Sequence, residues 1–273
     1  MAENSPTPIR IGAVTYLNAQ PLVYRLGQRM PSAEITFDVP SRLADDLARG
    51  RLDVAIIPSI EYLRMPGQRI VSDACIACDG PVRSVKLYSR VPVEQIRTLA
   101  LDEGSRTSAA LAQILLKERF GLTPEPQRLP LGVSLEGSTA DAAMLIGDRG
   151  MRSPVGDFAF VWDLGEQWTR WTGLPFVFAL WVARPGIHLG DLDGALATAR
   201  DDGLCCLDEI AATAAPAVGL SHAECLAYLR DHLKFHLGRR QRQGLELFFE
   251  LAVRHRLAPR GGDLVFYHCT DPR

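Results

Sequence analysis

RLDVAIIPS, residues Arg51–Ser59, is the stretch whose reading decides the fold. An unbroken apolar run, Val54 to Pro58, lies between an acid and a hydroxyl. A strand with one wet face would alternate. A continuous run fits a strand covered by helices on both faces of a parallel sheet. The design returns in ADAAMLIGD, Ala140–Asp148: an aspartate, an apolar run, then a small or polar end. Two similar α/β halves are expected.

The neighbouring segments keep this cadence. RIGAVTY (10–16) reads as a buried strand, and PLVYRLGQRM (21–30) as a helix with Pro21 in its first turn. EITFDVP (34–40) is a second strand. SRLADDLARG (41–50) is a helix capped by Ser41 and stopped at Gly50. In the second half RTLALDE (97–103) is a strand, and GSRTSAALAQILLKERFG (104–121) a turn entering a long helix closed by Gly121. A strong β-run follows from Pro175 to Ala183. The C-terminal region is helical, with a capping box in Ser221–Glu224 and an apolar stripe of Leu245, Phe248, Phe249, Ala252 and Val253.

No Pro/Ser-rich linker separates the halves, so the chain must pass between them through ordered segments. VRSVKLYSRVPVEQI (82–96) and TGLPFVFALWVARP (172–185) are the two long β-like stretches that can do so. The expected division is an inserted α/β lobe of residues 90–178 and a discontinuous α/β lobe of residues 1–89 and 179–273. This is a two-lobed binding architecture with two crossings and an interlobe cleft.

Composition excludes several classes. The 273 residues carry 30 Lys and Arg against 32 Asp and Glu, so no global field favours nucleic acid or an anionic membrane. No apolar run reaches the roughly 18 to 20 residues that span a bilayer. MAENSPTP lacks the basic start and apolar core of an export signal, which points to the cytoplasm. Cysteines 75, 78, 205, 206, 225 and 269 then read as reduced thiols, and CIAC (75–78), with no second pair, as buried side chains rather than a metal or redox centre. His232 and His236 share a helical spacing, but no third ligand accompanies them.

In open parallel sheets ligands bind beyond the carboxyl ends of the strands. The polar residues at those ends are Asn18, Ser41, Ser59, Ser84, Ser105, Thr107, Ser108, Gly147 and Asp148. This set of hydroxyls and amides suits carboxylate or hydroxyl groups. DEGSRTSAA (102–110) adds a helix start with free backbone N–H groups and a dipole that favours an anion. Neither GxxxxGK[ST] nor GxGxxG is present, so ATP and NAD are poorly supported. No Ser-His-Asp or Cys-His signature appears, and no histidine precedes His188.

RIGAVTYLNAQPL, VPSRLADDLARGRLDVAIIPSIEYL, GPVRSVKLYSR, LDEGSRTSAALAQILLKERFG, AAMLIGD, VWDLGEQWTRWTGLPFVFALWVAR and YLRDHLKFHLG, in that order from about Arg10 to Leu257, resemble the chorismate dehydratases of the futalosine route to menaquinone. The resemblance implies a type II periplasmic-binding-protein fold turned to catalysis. It further implies a cofactor-free hydro-lyase acting on chorismate, with the substrate's own carboxylate removing the proton. On the matching motifs Asn18 is the catalytic amide. Ser84, the Ser105–Ser108 loop with Arg106 and Thr107, Ser59, Gly147 and Asp148 are expected to bind substrate, one carboxylate lying between Ser84 and the Ser105–Ser108 helix start. Arg149-Gly150-Met151 departs from the family, which carries a small residue and Leu after the aspartate. Alternatives on the same fold are a small-carboxylate-binding protein or sensor, and the sister enzyme acting on cyclic dehypoxanthine futalosine.

Overall fold

The computed structural model describes residues 8–152 and 156–267. Its strands, in chain order, are β1 (Arg10–Val14), β2 (Glu34–Asp38), β3 (Val54–Pro58), β4 (Arg69–Cys78), β5 (Lys86–Ser89), β6 (Thr98–Asp102), β7 (Glu125–Leu129), β8 (Ala142–Leu145), β9 (Phe160–Asp163), β10 (Phe176–Ala183) and β11 (Lys234–His236). They form two sheets, ordered β11-β4-β10-β3-β1-β2 and β7-β6-β8-β5-β9. The same arrangement recurs in both. β2-β1-β3 and β7-β6-β8 are parallel triplets, and an antiparallel strand, β10 or β5, lies beside the third member.

All five residues of β3 and all four of β8 are buried, as expected of strands with covered faces. The aspartate before each run has a local task. Asp53 accepts hydrogen bonds from the Arg10 backbone N–H (2.9 Å) and from the Arg10 and Arg184 guanidiniums. Asp141 accepts from the backbone N–H groups of Arg97 and Thr98 (2.8 and 2.9 Å). Each carboxylate fastens its strand to the start of the neighbouring parallel strand, β1 or β6. Burial works against ionised Asp53, but the Arg10 and Arg184 donors outweigh it and hold its pKa far below the usual carboxylate range.

The sheets divide the chain earlier than the expected boundaries at 90 and 178. Residues 79–85 make the first crossing and Lys86 already belongs to the second sheet, while β10, buried throughout, lies wholly in the first. Three local expectations need correction. The segment after Asn18 is a 3-10 helix, Leu17–Val23, followed by a four-residue helix, Leu26–Arg29; left-handed Arg25 (φ 52°) separates them and prevents one continuous helix. Ser41 is not a cap: its helix runs Pro40–Ala48 with Val39 at the N-cap and Pro40 in the first turn. His232 and His236 do not share a helix face, because His236 lies on β11.

The helix Arg106–Phe120 starts at Ser105, whose side chain accepts from the Ser108 N–H, and ends at left-handed Gly121. The capping box at Ser221 and Glu224 is formed and opens the helix His222–Ala227. Trp168, Phe176 and Phe248 meet edge to face in the core beneath β10. Cys75 and Cys78 are buried on β4, where desolvation pushes their thiols upward, so neither is a ready thiolate. Cys269 lies outside the described residues.

Candidate active site

The loops after β1, β2, β6 and β8 and the carboxyl end of β3 converge between the sheets. With the first crossing, β4 and β10 they line a cavity of about 40 Å³. Asn18, Ser84, Ser105, Ser108 and Gly147 line it, together with Tyr16, Pro58, Ile146, Phe178 and other apolar groups, and no charged side chain is on its wall. Small-molecule pockets commonly measure roughly 300–1,000 Å³. The lobes are therefore closed, leaving room for little more than water.

Several bonds hold this closure. The Ser41 N–H donates to the Gly104 carbonyl (3.2 Å). Thr107 Oγ1 accepts from the Ile60 N–H (3.1 Å) and lies 3.3 Å from Ser59 Oγ, which itself bonds the Val177 carbonyl. Arg106 pairs with Asp45 and Glu61 (2.8 and 3.0 Å). Thr107 and Arg106 thus reach into the opposite lobe rather than the cavity, and Ser59, bonded to β10 of its own lobe, meets Thr107 at the seam. Asp148 accepts from the Leu17 N–H (3.1 Å) and borders a separate groove; burial raises its carboxyl pKa, against the Leu17 bond and Arg152.

Ser84 reaches the wall through an unusual turn. Arg83 is left-handed (φ 64°), a costly conformation for a residue with a Cβ. The Asp163 carboxylate holds that turn, accepting from the N–H groups of Val82 and Arg83 (2.9 and 2.6 Å) while also capping the helix Leu164–Thr172. Gly150 then packs against Ser84: a Cβ there would lie 2.3 Å from the Ser84 carbonyl oxygen. Arg149 pairs with Asp102 (2.5 Å), a buried carboxylate that also accepts from the Gly104 and Ile146 N–H groups. Both Arg149 and Gly150 therefore have structural work beside the site.

Sequence reasoning missed Tyr16, Phe178 and Tyr228. Tyr16 lies over Gly147, where a Cβ would come within 3.0 Å of its ring, and burial with the nearby Asp102 charge raises its phenol pKa. Its place two residues before Asn18 was a usable signal. Phe178 sits in a β-bulge between Val177 and Ala179, an irregularity that re-aims a side chain and has no sequence mark here. Tyr228 donates to Ser84 Oγ (2.8 Å) from far along the chain. Among the described residues no three His, Cys, Asp or Glu side chains gather as a metal site, and no helix is long and apolar enough to cross a membrane.

A family model described as menaquinone biosynthesis matches residues 9–254. A chorismate dehydratase of Thermus thermophilus is 31% identical over 261 residues, covering 89% of this chain and 94% of that one. A chorismate dehydratase of Campylobacter jejuni is 32% identical over 62% of this chain and 64% of its own length. In structure the chain resembles an Archaeoglobus fulgidus protein at a TM-score of 0.72 and 14% identity, over 93% of this chain and all of that one. It also resembles the periplasmic aliphatic sulphonate binding protein of Escherichia coli at 0.63 and 16% identity, over 97% and 94%. The fold is periplasmic-binding-protein-like.

Proposed function

The chain belongs to the menaquinone biosynthesis family, and from that premise we infer that it is a lyase removing water from chorismate to give 3-[(1-carboxyvinyl)oxy]benzoate. The observation that carries the reading is the kinship with a chorismate dehydratase along nearly the whole of both chains.

The site suits this chemistry. Loss of the ring hydroxyl and the neighbouring ring proton makes the ring aromatic, so the step is strongly downhill and exchanges no electrons with a redox partner. The protein's task is to bind an anionic substrate, orient it and exclude water. The start of the helix Arg106–Phe120, with the hydroxyls of Ser105 and Ser108 on the cavity wall, offers dipole and donors for a carboxylate without an opposing charged side chain.

The enolpyruvyl carboxylate takes the ring proton. Closure in an uncharged cavity strips water from that carboxylate and makes it a stronger base. The ring C–O bond breaks, and the departing hydroxide takes up the abstracted proton to leave as water. Asn18 faces the reacting groups with its amide carbonyl, which is buried and has no protein partner. Thr107, Ser59 and Arg106 serve the same reaction by holding the lobes shut, which must part to admit the substrate. We place the protein in the cytoplasm.

Purified protein incubated with chorismate should yield a product lighter by one water, seen by mass spectrometry. Binding without turnover would return the chain to the ligand-binding reading of its fold.

A further inference from the structure

Tyr228 is 2% exposed and begins a π-helical turn, Tyr228–His232, continuing from the helix His222–Ala227. Such turns widen a helix locally and concentrate at functional sites. This one brings the phenol between two groups of the cavity wall. Its hydroxyl donates to Ser84 Oγ at 2.8 Å, both side chains being buried, and the Asn18 side chain lies near enough to act on the phenol as a donor does, drawing its pKa down against the effect of burial.

The proton inventory of these three groups leaves one arrangement. A phenol has a single proton, and here Ser84 receives it. Toward Asn18 the phenol can then only accept, so the amide turns its N–H groups to Tyr228 and its carbonyl away. That carbonyl oxygen is the one buried without a partner beside the cavity. Ser84, having accepted, keeps its own proton to donate into the cavity. One acceptor and one donor stand side by side, the complement of a hydroxyl, which donates and accepts at once. A carboxylate oxygen would suit Ser84 but be repelled by the Asn18 carbonyl.

We propose that Tyr228 is a positioning residue for the dehydration: its hydroxyl sets the polarity of Asn18 and Ser84 so that together they hold the ring hydroxyl that departs. This moves Ser84 from the carboxylate, where the sequence suggested it, to the leaving group. Burial also raises the phenol's pKa, so the proton stays in place at neutral pH. The assignment rests on the function proposed above.

The test is steady-state turnover of chorismate by wild type, Tyr228→Phe, Ser84→Ala and the double variant, with thermal midpoints for all four. Tyr228→Phe keeps the ring and its packing. It should lower kcat by about tenfold or more, as for one preorganised donor, while KM stays within about threefold. Because the two hydroxyls act together, the double variant should lose at least about fivefold less than the product of the single losses. Unchanged kcat in folded Tyr228→Phe, a rise in KM alone, or fully multiplicative losses overturn the assignment while leaving the dehydratase reading intact. A folded wild type that does not consume chorismate overturns both.

Discussion

Asn18 carries the clearest sign of function at the scale of one residue, because its buried carbonyl has no partner in the protein. Such a group costs about 1–3 kcal/mol against its hydrated state and persists where a ligand supplies the missing bond. Asn18→Ala should therefore lower kcat by about 10²-fold with little change in KM, while the thermal midpoint holds or rises. Kinetics and a melting curve check both halves; near-normal kcat would leave Asn18 as a turn former. The sequence exposed Asn18, Ser84, Ser105, Ser108 and Gly147 because polar residues at strand ends must lie near the cleft. Thr107, Ser59 and Arg106 were singled out with them and lie at the seam between the lobes instead, since position along a strand does not reveal where a side chain aims. Tyr228 was hidden for another reason: 144 residues separate it from Ser84, and only the tertiary fold brings them together.

Among the elements, the short helix Gly147–Met151 shows how a glycine can be a packing solution. Its Gly150 lets the helix approach the crossing so closely that any side chain would meet the Ser84 carbonyl at 2.3 Å, and backbone cannot yield as a flexible side chain would. Gly to Ala inside a helix ordinarily gains up to about 1 kcal/mol. Gly150→Ala should instead lose about 1–3 kcal/mol and, by pushing on Ser84, lower kcat. Denaturant titration gives the sign: a stabilised variant with full activity would show that the helix moves aside freely. β3, β8 and the helix Arg106–Phe120 were legible because burial on both faces and capping chemistry write themselves into local sequence. The 3-10 helix at Leu17–Val23 and the bulge at Phe178 were not, since each answers to how distant elements pack.

Across the whole molecule, the two lobes repeat one construction, and the aspartates that open their third parallel strands state it most plainly. Asp141 clips two backbone donors and the Thr98 hydroxyl, all within β6 and its approach, whereas Asp53 also gathers two arginines and so ties β1, β3 and the far end of β10 into one unit. The sequence repeat announced the pair but not this difference, because Arg10 and Arg184 lie 43 and 131 residues from Asp53. Asp53 thus fastens three strands of the first lobe to one another. Its consequence is a pH-dependent stability whose sign follows from the depressed pKa. The stabilisation is complete above the unfolded-state pKa of about 3.9 and is lost as pH falls through the lower folded-state value. Asp148 acts oppositely: its raised pKa means that ionisation costs folded-state stability, so it cannot produce a loss on acidification. Asp53→Asn should therefore destabilise the protein at pH 7 by about 3 kcal/mol, the cost of leaving a largely buried ion pair broken, read as a thermal midpoint lower by about 6–12 °C. The gap between variant and wild type should narrow steadily as pH is lowered below about 4. A gap of constant size across that range in melting curves would mean that Asp53 acts through packing and hydrogen bonds that survive its protonation, and that its charge does not bind the lobe together.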